Sequence, residues 1–137
     1  MTFAATTPAL PVRRIDAAAA FYAERLGFTV LHQDSGFARV VRDEAEIHLW
    51  AASDSTWRDR DDVLERPVLS GAEDFIAGTA SCRIRVTSIG SVHAELAARD
   101  VLHPTDTGRP ARTDWGTLEV NALDLDGNLL TLWEPVS

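Results

Sequence analysis

The chain has 137 residues, 45% of them hydrophobic, which suffices for one domain with a two-layer core and is too little for two. Thirteen basic against 21 acidic side chains leave a formal charge of −8, which repels a polyphosphate surface and speaks against nucleic acid as a partner. No apolar run approaches the roughly eighteen residues of a membrane helix, the amino terminus lacks a signal pattern, and the single Cys82 excludes an internal disulfide, so a cytoplasmic protein with no membrane partner is expected.

In chain order, apolar alternation predicts a strand near 7–12, then a helix near 16–26, with Asp16 as its N-cap and Gly27 as its stop. Strands follow near 28–33, 36–42 and 45–51. Residues 53–78 form an acidic connector carrying Trp57, Pro67 and Gly71, with Asp59, Asp61 and Asp62 as a solvated charge run or a flap. A second set is predicted near 80–86, 89–99 (helix), 101–105, 116–123 and 128–134, with an exposed loop around Asp106 to Asp114.

The two sets are copies. Val12, Ile15, Ala18 and Tyr22 return as Val86, Ile89, Val92 and Leu96, each 74 positions on. Asp43, Ile47, Leu49 and Trp50 return as Asp126, Leu130, Leu132 and Trp133, 83 positions on, so the second copy holds nine extra residues between its helix and its last strands. The expected organisation is a single domain, 1–137, of two repeats (about 7–52 and 79–135) joined by connector 53–78. The fold class is α+β, two βαβββ modules forming a cupped mixed sheet.

Period-two alternation sorts the side chains by face. Ile47, Leu49, Cys82, Ile84 and Val86 belong under the helices, whereas His48, Trp50, Ser81, Arg83, Arg85, Thr131 and Trp133 turn the other way. A helix-free face with two tryptophans is expected to be covered by a ligand, a loop or a second subunit.

Phe21-Tyr22, Leu26-Gly27-Phe28 and Asp124-Leu125-Asp126-Gly127-Asn128, set in two βαβββ units from about Pro8 to Glu134, resemble the glyoxalase/bleomycin-resistance/dioxygenase (vicinal oxygen chelate) superfamily. Ser35-Gly36-Phe37-Ala38, Ser81-Cys82 and Asp114-Trp115-Gly116 look most like its bleomycin-binding resistance proteins. Metalloenzymes of the superfamily hold a divalent ion with four side chains, and the resemblance puts Thr7, His48, Ser81 and Thr131 at those positions. That set lacks the His, Glu or Asp ligands that zinc or iron requires, so no metal and no cofactor are expected.

The resemblance implies a metal-independent binding protein, not an enzyme, that sequesters a bleomycin-like glycopeptide antibiotic in a groove between two subunits. Such drugs are cationic with a planar bithiazole tail, which calls for aromatic faces and negative potential. The implied ligand-binding residues are Phe37, Trp115, Gly116, Gly36, Trp50 and His48, with Phe37 and Trp115 as the stacking pair. Each has a plainer role open to it: core filler for Phe37, loop anchor for Trp115, space filler for Trp50, and a hydrogen-bonded wall for His48. Family dimers exchange the first strand, and Met1 to Pro11 is the corresponding arm. Arg83 and Arg85 depart from the pattern by putting positive charge on this face unless Glu119 neutralises one of them, the connector is longer, and Leu125 replaces a usual proline. The alternatives are a lyase or dioxygenase acting through His48 and a second residue, and a binder of another flat aromatic small molecule.

Overall fold

The protein is described from a computed structural model covering residues 1–52 and 77–136. Trp57, Asp59, Asp61 and Asp62, and most of the expected connector, lie outside the described residues. The first repeat comprises β1 (Ala9–Val12), α1 (Ile15–Arg25), β2 (Thr29–Gln33), β3 (Phe37–Arg42) and β4 (Ala45–Ala51). The second comprises β5 (Ser81–Arg85), α2 (Ile89–Ala98), β6 (Ala111–Arg112), β7 (Thr117–Leu123) and β8 (Leu129–Pro135).

Each repeat builds its own four-stranded sheet, in the orders β1-β4-β3-β2 and β5-β8-β7-β6. The first strand of each runs parallel to the last, as a helical crossover requires, and every other pair is antiparallel. The expected α+β double module is therefore present, and within one chain its mixed sheet comes as two halves. Alternation sorted the faces correctly: Ile47, Leu49, Val120, Ala122 and Leu130 are at most 1% exposed under the helices.

Two expectations are corrected. The first helix begins at Ile15 with an extended Arg14 before it and no side-chain cap; Asp16 lies inside the first turn, accepting the Ala17 amide at 2.8 Å. It serves the positive end of the helix dipole from there. The strand expected near 101–105 is broken. Leu102 bridges Ala122, and the His103 amide donates to Asn121 O, but Pro104 has no amide hydrogen and a turn follows from His103 O to Asp106 N. The outer ladder resumes only at β6, so the extra residues split this strand instead of following it.

The first helix stops where the sequence predicts. Gly27 sits at φ +75°, where an added Cβ would meet the Arg42 guanidinium at 2.8 Å. The two helix ends also clasp each other. Arg25 donates to Arg99 O at 2.7 Å and to Asp100 O at 3.1 Å, while Arg99, its equivalent 74 positions on, donates back to Glu24 O. Arg42 adds a bidentate pair with Glu95.

The Asp124-to-Asn128 turn is a second clasp. Asp124 Oδ1 accepts the amides of Asp126 and Asn128, and Oδ2 accepts the Tyr22 hydroxyl at 3.0 Å and Asn128 Nδ2 at 2.9 Å. Asn128, fully buried, also donates to Pro11 O and accepts from the Ala80 amide. Burial raises the Asp124 carboxyl above its ordinary range and lifts the Tyr22 phenol well above its own. The motif thus joins the second repeat to β1 and α1 of the first; its role is structural.

Candidate functional site

The helix-free face has a half on each sheet. On the first, the β3–β4 register sets Phe37 beside Trp50, Arg39 beside His48, and Val41 beside Glu46. Phe37 is half-buried and outside the core, with its ring 5.0 Å from Trp50, 5.1 Å from His48 and 5.9 Å from His32. Trp50 keeps 40% of its surface exposed. Gly36 closes the turn before β3, its amide on Asp34 Oδ1 at 2.9 Å and its carbonyl on the Ala51 amide.

His48 is paired through Nε2 with Glu46 Oε2 at 2.6 Å, and the same carboxylate accepts from Arg39. Arg39 first, then His48, hold the Glu46 carboxyl below its usual range. Glu46, Arg39 and His32 were not among the expected site residues. Glu46 was legible, since it lies two before His48 and shares its face; Arg39 and His32 needed the cross-strand register, which a bulge between Val30 and His32 shifts.

On the second half, Glu119 lies between Arg83, Thr117 and Trp115. Arg83 donates to both of its oxygens, at 2.6 and 3.4 Å, the Thr117 hydroxyl donates at 2.8 Å, and the Trp115 indole N–H at 3.3 Å. The guanidinium is the main reason the Glu119 carboxyl is held low. Arg83 is therefore neutralised, whereas Arg85 forms an ion pair with no described carboxylate and lies 5.5 Å over the Trp133 ring, as Arg83 does. Trp115 stands in the turn from β6 to β7, 69% exposed, beside Gly116 at φ +88°. No ring contact joins it to Phe37 within the chain.

The positions that carry metal ligands in related enzymes do not fit an ion. Thr7 precedes β1 and is exposed, Thr131 donates to Asn121 at 2.7 Å, and Ser81 offers only a hydroxyl. Across the strands His48 is flanked by Ala9 and Arg39 and Thr131 by Arg83 and Asn121, and the Glu46 carboxylate beside His48 is taken up by His48 and Arg39. Among the described residues no group of three or more His, Cys, Asp or Glu is arranged to hold a metal. Cys82 faces the helices as expected, and burial pushes its thiol up to about 11, which leaves it inert at neutral pH. A cavity of about 710 Å³ on the helix side, lined by Leu26, Phe28, Ile84, Val92 and Leu96 among others, takes in Arg85 but none of Phe37, His48, Trp50 or Trp115.

The family model described as glyoxalase/bleomycin resistance protein/dioxygenase superfamily matches residues 4–132. The chain belongs to that superfamily. It is 40% identical over 129 residues to a bleomycin resistance protein of Geobacillus stearothermophilus, covering 94% of this chain and 95% of the relative. Among solved structures, a bleomycin-binding protein complexed with bleomycin superposes with a TM-score of 0.67 at 26% identity, covering 96% and 98% of the two chains. The bleomycin resistance determinant encoded on transposon Tn5 gives 0.68 at 25% identity, covering 97% and 98%. This superfamily member also has no helix, among the described residues, long and apolar enough to cross a membrane.

Proposed function

We propose that the protein binds a bleomycin-like glycopeptide antibiotic and confers resistance by sequestering it stoichiometrically, without a metal and without a chemical step. It does so in the cytoplasm as a homodimer whose grooves are completed by a second copy. The observation that carries the reading is a set of flat rings on a face where Arg39 and Arg83, though not Arg85, are neutralised. Phe37 and Trp50 stand on one half, Trp115 on the other, and Arg39 and Arg83 are each matched by a glutamate. The 40% identity to a bleomycin resistance protein over nearly the whole chain supports the same ligand.

In this reading Phe37 and Trp115 sandwich the planar tail, with Trp50 and His48 forming the wall beside Phe37 and Gly36 and Gly116 keeping the approach clear of side chains. Within one chain Phe37 and Trp115 are not in ring contact, which suits a sandwich closed by ligand or by a second subunit. A thermal-shift titration with bleomycin tests the reading, because binding confined to the native state raises the melting temperature with ligand concentration. A dose-dependent rise is expected with bleomycin. No rise at concentrations that saturate a known bleomycin-binding protein would end it.

A further inference from the structure

The Glu119 side chain is only 11% exposed although its partners reach the open face: Arg83 keeps 49% of its side chain exposed. It lies at the meeting point of three elements. Arg83 comes from β5, Trp115 from the β6–β7 turn, and Thr117 from the start of β7. Thr117 is itself fixed, since its amide and hydroxyl both meet Thr113 Oγ1, at 3.1 and 2.7 Å, across that turn. The carboxylate is thus immobilised from two sides before the indole reaches it. Trp115 has no described ring partner, and its side-chain hydrogen bond to Glu119 is what ties its N–H edge to the sheet.

An exposed indole on a turn samples several rotamers, and each immobilised side chain costs binding free energy when a ligand selects one of them. We propose that Glu119 is a positioning residue for ligand binding: it fixes the plane of the Trp115 indole in the free protein, so that the ring is presented ready to stack. The proposal rests on the reading of Trp115 as a ligand-stacking residue. Arg83 serves it indirectly by holding the carboxylate in place, which gives that arginine a reason to lie on a face meant for a cation.

Two measurements test this. In calorimetric titrations with bleomycin, E119A should weaken binding about ten-fold, and E119Q, which keeps an acceptor oxygen, only about three-fold. In a W115F background the E119A step should change affinity by less than about two-fold, because the phenyl ring has no N–H to be held. An equal loss with and without the indole would overturn the proposal and make Glu119 an independent charge. The second measurement needs no ligand. The Trp115 indole N–H resonance, identified by its loss in W115F, should shift and exchange faster with water in E119A, and E119Q should restore it in part. An unchanged resonance would overturn the proposal. Should the wild type fail to bind bleomycin at all, the functional reading falls, while the resonance still decides what Glu119 does.

Discussion

The indole of Trp115 and the ring of Phe37 differ in how they are held, and that difference predicts how their loss is felt. Phe37 is wedged among His32, His48 and Trp50, so its removal loosens an aromatic cluster as well as a stacking face. Trp115 projects from a turn with most of its surface in water. If both stack on the ligand, replacing either with alanine should cost about 1–3 kcal/mol of bleomycin binding, by analogy with bases on aromatic side chains. That is about five-fold to more than a hundred-fold in affinity. The melting temperature of the free protein should fall for Phe37→Ala and barely move for Trp115→Ala, as calorimetric scans of both variants would show. A large loss of stability in Trp115→Ala with unchanged affinity would make it a loop anchor.

At the scale of elements, the Asp124-to-Asn128 turn is where local sequence becomes tertiary structure. Asn128→Ala would leave Pro11 O, the Ala80 amide and part of Asp124 unmatched in a buried setting. A cost of about 3 kcal/mol follows, or roughly 10 °C in melting temperature, with little effect on ligand affinity per folded molecule. The Arg42–Glu95 pair makes a pH-dependent contribution of defined sign. Arg42 lowers the Glu95 carboxyl below its ordinary value of 4.5, so its stabilisation is complete above that value and is lost as pH falls through the lowered one. Asp124, raised by burial, works in the opposite direction and favours the folded state on the acid side. In scans of melting temperature from pH 7 to 3, Glu95→Gln should flatten the acid limb.

Much of this was legible in the sequence because the signals were local. The repeat spacing, the parity that sent Ile47 and Leu49 inward and His48 and Trp50 outward, and the stop at Gly27 all depend on near neighbours. The broken strand after α2 was not read, since an apolar run from Val101 looks extended until the missing amide of Pro104 is weighed against the ladder it would have to join. In the site, strand parity already offered Glu119 as the partner of Arg83, across 36 positions, whereas Glu46, two residues from His48 and on its face, went unread. The reach of Glu119 to Trp115 depends on a turn that parity does not place.

For the whole molecule, one expectation follows from the donor set. Protein purified without added metal should contain far less than one equivalent of zinc, iron, manganese or nickel by elemental analysis, measured before any metal-chelating drug is added. A stoichiometric metal resisting dialysis would restore the lyase or dioxygenase alternative, with His48 and Glu46 as its first donors to test.

Assembly carries the last expectation. Within one chain β1 pairs with its own β4, and Leu10 and Val12 are buried in the core, contacts that an exchange of the arm Met1 to Pro11 would remake in the partner. Residues 1–7 are exposed along their whole length, and Phe3 is 94% exposed, an apolar ring with no cover in the single chain. β1 and β5 are edge strands, each with an outer row of backbone groups that no described strand pairs. Two copies related by a two-fold axis would cover Phe3 twice and close both halves of the helix-free face. Light scattering at micromolar concentration should therefore give twice the mass of one chain, and deleting residues 1–7 should weaken the dimer while leaving β1 and its core contacts whole. Phe3→Ser in the full chain tests the arm without shortening it, and should shift the dimer toward monomer by about ten-fold or more in dissociation constant, the scale of one large apolar side chain returned to water. If the wild type runs as a single chain and still binds bleomycin at full affinity, the groove does not need a second copy.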